Sequence, residues 1–137
     1  MTASRWLVKT EPNTYSYADL DRDGRTVWDG VRNNTAALHL KAMQAGDEVF
    51  FYHSQAGKEI VGISTVVKEA YLDPTDATGK FYCVDLVAKA PLPRPFTLAE
   101  AKEDKALATM SLVVSFRLSV QPVTAAEWAH ILKTVGA

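Results

Sequence analysis

Between Glu48 and Val67 the chain carries two strongly β-forming runs back to back. Glu48-Val49-Phe50-Phe51-Tyr52-His53-Ser54 reads as a buried strand, and Ile60 to Val67 is dominated by β-branched residues. Gln55-Ala56-Gly57-Lys58 between them has the composition of a hairpin connection. A chain with this hairpin at its centre is built around a sheet, and its other segments read as what flanks that sheet. Trp6-Leu7-Val8 is a short apolar run ended by Lys9-Thr10-Glu11-Pro12, where the pre-proline position disfavours helix, so it reads as the edge of a strand. Thr26-Val27-Trp28 is a brief β-prone stretch turned by Asp29-Gly30, and residues 81–88 form another strand. Ser115 to Gln121 alternates Phe116, Leu118 and Val120 against Ser115, Arg117 and Ser119, the pattern of a half-buried strand that Pro122 would end.

The helices announce themselves by their starts. Ser16 with Asp19, Thr97 with Glu100 and Thr124 with Glu127 have capping-box spacing, and Tyr15 and Leu20 hold the staple positions of the first box. Gly24 stops that first helix. Asn34 is a cap for a second helix with Ala36, Leu40 and Met43 on one face, ended by Gly46. The last helix presents Trp128, Ile131, Leu132 and Val135 inward. Residues 73–79 are a polar loop, and Pro91, Pro93 and Pro95 enforce an extended crossing. Five or six strands, short helices and no regular βαβ alternation give an α+β class, a mixed β-barrel with short flanking helices. At 137 residues the whole chain, 1–137, reads as a single domain.

Composition removes several functions. Fifteen basic against 16 acidic residues leave a formal charge of −1, so any nucleic-acid binding must come from a local patch. Cys83 is the single cysteine and sits mid-strand as a small core hydrophobe, which excludes an intrachain disulfide and a cysteine zinc site. No run reaches the ~18 apolar residues of a membrane span, and residues 1–9 lack a signal-peptide core, so a reducing cytoplasmic setting is expected. There is no GxGxxG or P-loop pattern, metal-ligand spacing is absent, and His39, His53 and His130 are scattered; no cofactor or metal is expected.

Large aromatic and polar groups instead collect near strand ends: Lys9-Thr10-Glu11, Trp28 to Asn33, Tyr52-His53-Ser54, and Arg117 with Ser119. Trp28 beside an Asp-Gly turn is either core packing or an accessible aromatic platform. Arg32 and Asn33 precede a helix start, whose unpaired N–H groups favour an anionic ligand group. A nucleobase would use both features, stacking on Trp28 and hydrogen bonding at Asn33. An acid–base reading would instead use Glu11, Asp29 and His53, although no nucleophile or metal set accompanies them. A protein-interaction module is the blander alternative.

The blocks Trp6 to Pro12, Tyr15-Ser16, Trp28 to Asn33, Gly46-Asp47, Phe51 to Ser54, Val61-Gly62-Ile63, Arg117 to Val123 and Glu127-Trp128 resemble, in order, the EVE domain family. That resemblance implies a PUA-like pseudo-barrel shared with the YTH readers of methylated adenine. It implies a non-enzymatic module that binds one modified nucleobase, pointing toward modified cytosine in DNA, with modified RNA as the alternative. The partner is then a DNA or RNA base rather than a membrane, bound by a monomer or a homodimer. Carried over by position, the pocket draws on Lys9, Thr10, Glu11, Tyr15, Trp28, Val31, Asn33, Tyr52, His53, Ser54 and Arg117, to which Arg32 is added from the helix start. Many members carry Arg-Gln-Ser where this chain has Val114-Ser115-Phe116, which removes a positive charge and a phosphate contact from that segment.

Overall fold

The central hairpin forms as expected, with β3 (Glu48–His53) antiparallel to β4 (Glu59–Leu72). The computed structural model describes residues 4–54, 57–115 and 117–137, so Gln55, Ala56 and Phe116 lie outside the described residues. On one side of the hairpin, β1 (Arg5–Thr10) pairs parallel with β3, and β6 (Val120–Val123) pairs antiparallel with β1. On the other, β5 (Tyr82–Thr97) pairs with β4, and β2 (Arg25–Trp28) pairs with β5. The result is one six-stranded mixed sheet in the order β2-β5-β4-β3-β1-β6. Among the described residues five α-helices flank it: α1 (Tyr17–Asp23), α2 (Asn34–Ala42), α3 (Leu98–Glu103), α4 (Ser111–Val114) and α5 (Ala125–Val135).

Strand alternation sorts the apolar side chains onto two faces. Trp6, Val8, Val49, Phe51, Val66, Val84, Leu86 and Val120 form an inner cluster with Trp28 and with residues of α1 and α2. Leu7, Phe50, Tyr52, Ile60 and Val123 form an outer cluster under α4 and α5. Fully buried members such as Leu7, Phe50 and Phe51 each contribute roughly 1.5–3 kcal/mol through removal from water.

All six strands contribute side chains to the inner cluster, as in a pseudo-barrel, and within it Trp28 on β2 and Phe51 on β3, three strands apart in the ladder, meet with ring centroids 5.4 Å apart. The ladder leaves β2 and β6 as open edges rather than closing.

Four expectations are corrected. The proline crossing is part of β5: Ile60 pairs with Phe96 but Gly62 with Pro91, so Pro93 and Pro95 fall where the ladder is interrupted and their missing donors matter little. The β4 strand runs on to Leu72 rather than ending at Val67. Asn33, not Asn34, caps α2, with its side-chain oxygen accepting from the Ala36 N–H at 2.9 Å. Finally, the alternating segment from Ser115 becomes strand only at Val120, and Pro122 lies inside β6. The buried Gln121 amide donates to the carbonyls of Ser115 and Leu118, both at 3.0 Å, which folds that segment into a turn. Because β6 is an edge strand, it tolerates a proline.

The first capping box forms as expected, and α1 docks through Tyr17. The Tyr17 hydroxyl donates to the Ile63 carbonyl at 2.8 Å, and its ring lies directly on Gly62. A Cβ at Gly62 would meet the Tyr17 ring at 2.5 Å, so only glycine permits this approach. Among the described residues, no helix is long and apolar enough to cross a membrane.

Candidate functional site

The end of β1, the approach to α1, the end of β2 and the β2–α2 loop converge on a cavity of about 640 Å³, within the usual range for small-molecule sites. It is lined by Lys9, Thr10, Thr14, Tyr15, Thr26, Val27, Trp28, Asp29, Gly30, Val31, Arg32 and Ser119. Trp28 and Val31 are each 9% exposed and belong to the inner core, so they form an apolar wall rather than a free-standing platform. The Trp28 indole meets Phe51 edge-on, at 77° between planes, which fixes its orientation. Threonine and serine hydroxyls and the Tyr15 phenol supply the polar part of the lining.

The Thr14–Tyr15 part of the lining is set by local chain geometry. The Glu11 carbonyl accepts from the N–H groups of both Thr14 and Tyr15 at 2.9 Å, a tight turn that turns Tyr15 toward the cavity. The Tyr15 hydroxyl donates to Asp23 at 3.0 Å, and burial pushes its ionisation up, so it is a neutral phenol at physiological pH. Behind this part of the lining, the Tyr17 N–H donates to His53 Nε2 at 3.0 Å. That satisfies one of the orphan N–H groups at the start of α1 and assigns the ring proton to Nδ1. Burial lowers the His53 pKa, against a smaller opposing effect of Glu59. The Ser54 N–H donates to the Thr10 carbonyl at 2.8 Å, which ties down the end of β1.

The twelve expected site residues therefore separate. Lys9, Thr10, Tyr15, Trp28, Val31 and Arg32 line the cavity. Glu11, His53 and Ser54 shape it from behind through the bonds just described. Asn33 spends its side-chain oxygen on the α2 cap. Tyr52 packs on the outer face, where it lies 5.4 Å from the Lys9 ammonium, and Arg117 is exposed on the turn before β6 and outside the cavity lining. Burial lowers the Lys9 amine to a pKa of about 8. Of the three acid–base candidates only Asp29 lines the cavity, so Glu11, Asp29 and His53 are not assembled into one catalytic group.

Thr14, Thr26 and Val27 line the cavity without having been singled out from the sequence. More consequential is Asp73, whose side chain is fully buried under the loop that carries Gly30 and Arg32. Its only sequence signal is an Asp two positions before Thr75, the spacing of a side-chain-stabilised turn. No cluster of three or more His, Cys, Asp or Glu residues suited to a metal occurs among the described residues.

Comparison with known proteins gives a consistent relationship. Residues 4–134 match the model of the EVE domain. Human thymocyte nuclear protein 1 is 35% identical over 95% of this chain and 73% of its own length. A protein of Rhodopseudomonas palustris solved by NMR is 52% identical, with a TM-score of 0.93 over 97% of this chain and 93% of that one. The crystal structure of human thymocyte nuclear protein 1 with 5-methylcytosine-containing DNA is 32% identical, with a TM-score of 0.90 over 98% and 99% of the two chains. A YTH domain of Zygosaccharomyces rouxii, at 12% identity and a TM-score of 0.62 over 98% of this chain and 85% of that one, shares the fold. The pseudo-barrel, the ordered sequence blocks and this nearly full-length match agree: the chain belongs to the EVE domain family.

Proposed function

We propose that this protein is a non-enzymatic reader that takes one modified nucleobase, a modified cytosine in DNA, into the cavity walled by Trp28. The observation that carries this reading is the cavity itself: one apolar aromatic wall, a hydroxyl-rich lining and a volume of about 640 Å³, in a chain that aligns over 98% of its length with a human relative solved on 5-methylcytosine DNA. Aromatic stacking supplies about 1–3 kcal/mol per base. Extracting a base from a duplex costs a few kcal/mol, least where the base is mispaired or single-stranded. A formal charge of −1 provides no general attraction for phosphate, so affinity rests on the pocket.

A modified-RNA target is the second reading, prompted by the YTH domain solved with N6-methyladenosine RNA, although at 12% identity that likeness extends to the fold alone. Binding of matched oligonucleotides separates the two. DNA and RNA strands carrying one cytosine, 5-methylcytosine, adenine or N6-methyladenine are titrated in single-stranded and duplex form. Preference for modified cytosine in DNA supports the first reading, preference for methylated adenine in RNA transfers the pocket to the second, and equal affinity throughout defeats both.

A further inference from the structure

Arg32 borders the cavity and resembles a phosphate-binding cation in the sequence, yet its guanidinium is already engaged. Its Nη1 donates to Asp73 at 3.1 Å and its Nη2 to the Thr75 hydroxyl at 3.1 Å, and the group lies 5.4 Å from the Phe81 ring centroid. Asp73 is fully buried, on the β4–β5 loop, and reaches across 43 positions of sequence to accept the Gly30 N–H at 2.8 Å. It also accepts the Thr75 N–H at 2.7 Å and the Thr75 hydroxyl at 2.6 Å. Burial by itself would raise this carboxyl, but the hydrogen bonds from Thr75, Gly30 and Arg32 outweigh it and hold the group below its ordinary range. Gly30 sits at φ +77°, a conformation disfavoured for any residue with a side chain. It lies two residues from Trp28 in the same cavity lining.

We propose that Asp73 is a positioning residue of the base pocket: with Arg32 it forms a clasp that fixes the Gly30 backbone and hence the wall beside Trp28, and Arg32 serves as its strut rather than as a ligand for phosphate. A buried carboxylate left without its cation would be strongly disfavoured, so the pair holds the loop as one unit. The guanidinium fork is what allows simultaneous contact with Asp73 and Thr75, and a lysine ammonium does not reproduce it. The consequence for binding rests on the reader function proposed above; the consequence for the free protein does not.

Two measurements test the clasp. In the unliganded protein, Asp73→Asn and Arg32→Ala are each expected to speed hydrogen exchange of the Gly30 amide at least tenfold and to shift the Trp28 indole resonance; unchanged exchange in both overturns the clasp. Arg32→Lys keeps a cation beside the buried Asp73, so it remains foldable even where Arg32→Ala or Asp73→Asn is not, and its Gly30 exchange is read in the same way. In the second, affinity for a single-stranded oligonucleotide with one 5-methylcytosine is followed as a function of salt. Arg32→Ala and Arg32→Lys are both expected to bind at least tenfold more weakly, with the same salt dependence as the natural chain. A phosphate contact at Arg32 would instead lower the slope of log K against log salt by about 0.7 in the Ala variant, and full rescue by Lys would show that charge alone suffices; either result overturns the strut. Absence of any modified-base preference in the natural chain defeats the reader function, while the Gly30 exchange still decides the clasp.

Discussion

Buried tryptophans pack on both faces of the sheet, Trp128 on the outer and Trp28 beside Trp6 on the inner, and Trp128 and Trp28 are treated differently. On the outer face Trp128 of α5 stacks on Phe50 with centroids 3.8 Å apart and planes 16° from parallel, covered to 4% exposure. On the inner face Trp28 meets Phe51 by its edge and, with Asp29 to Arg32 that follow it, lines the cavity. The outer cluster packs under α4 and α5, whereas the inner cluster packs against α1 and α2 and borders the cavity through Trp28 and Val31. A buried tryptophan is therefore not by itself a functional mark. What distinguishes Trp28 is that it borders the cavity, a gap lined in part by polar groups.

That contrast breaks most sharply if Trp128 is truncated. Trp128→Ala is expected to lower stability by about 3–5 kcal/mol, read by denaturant unfolding, while base binding measured below the melting transition stays within twofold. A comparable loss of base preference would mean that the two faces are not separable. Gly62→Ala follows, since the added methyl meets a Tyr17 ring pinned by its bond to Ile63. Overpacking of this kind is expected to cost about 1–3 kcal/mol, and it weakens binding as well, because α1 carries the Tyr15 side of the cavity. Asn33→Ala removes the α2 cap and should cost about 1 kcal/mol of stability, with the modified-to-unmodified preference retained; loss of that preference would give Asn33 a direct role in the site.

The smallest effect is a pH dependence. Burial lowers the pKa of both His53 and His39 in the folded chain, whereas in the unfolded chain they titrate near 6.5. As pH falls through that value the unfolded state takes up protons first, so the stabilisation is complete above about 6.5 and declines below it. At His53 protonation also removes the acceptor of the Tyr17 N–H. Unfolding curves between pH 7.5 and 5 should therefore show falling stability, with a shallower fall in His53→Gln; an identical fall would assign the effect to other groups.

Much of this was legible in the sequence because it was local. The three capping boxes involve residues three apart, and all three form. The apolar runs of β1 and β3 read as buried strand, and Leu7, Val8, Phe50 and Phe51 are all fully buried. Where distant partners decide, the sequence was silent or misleading. The Ser115–Gln121 alternation mimics a strand, but the Gln121 amide turns the chain instead. Asn34 reads as the cap of α2, but its neighbour Asn33 takes that role. Asp73 looks like loop filler until Gly30 and Arg32, more than 40 positions away, are brought onto it.

The central claim is that the gap beside Trp28 holds a modified base. Its most direct test is the affinity ratio between single-stranded oligonucleotides differing by one cytosine 5-methyl group, measured for the natural chain and for Trp28→Ala. A methyl group seated in an apolar pocket is expected to give a preference of roughly tenfold or more, which Trp28→Ala should abolish while remaining folded. Equal affinity for both strands, or a preference that survives the substitution, would contradict the account.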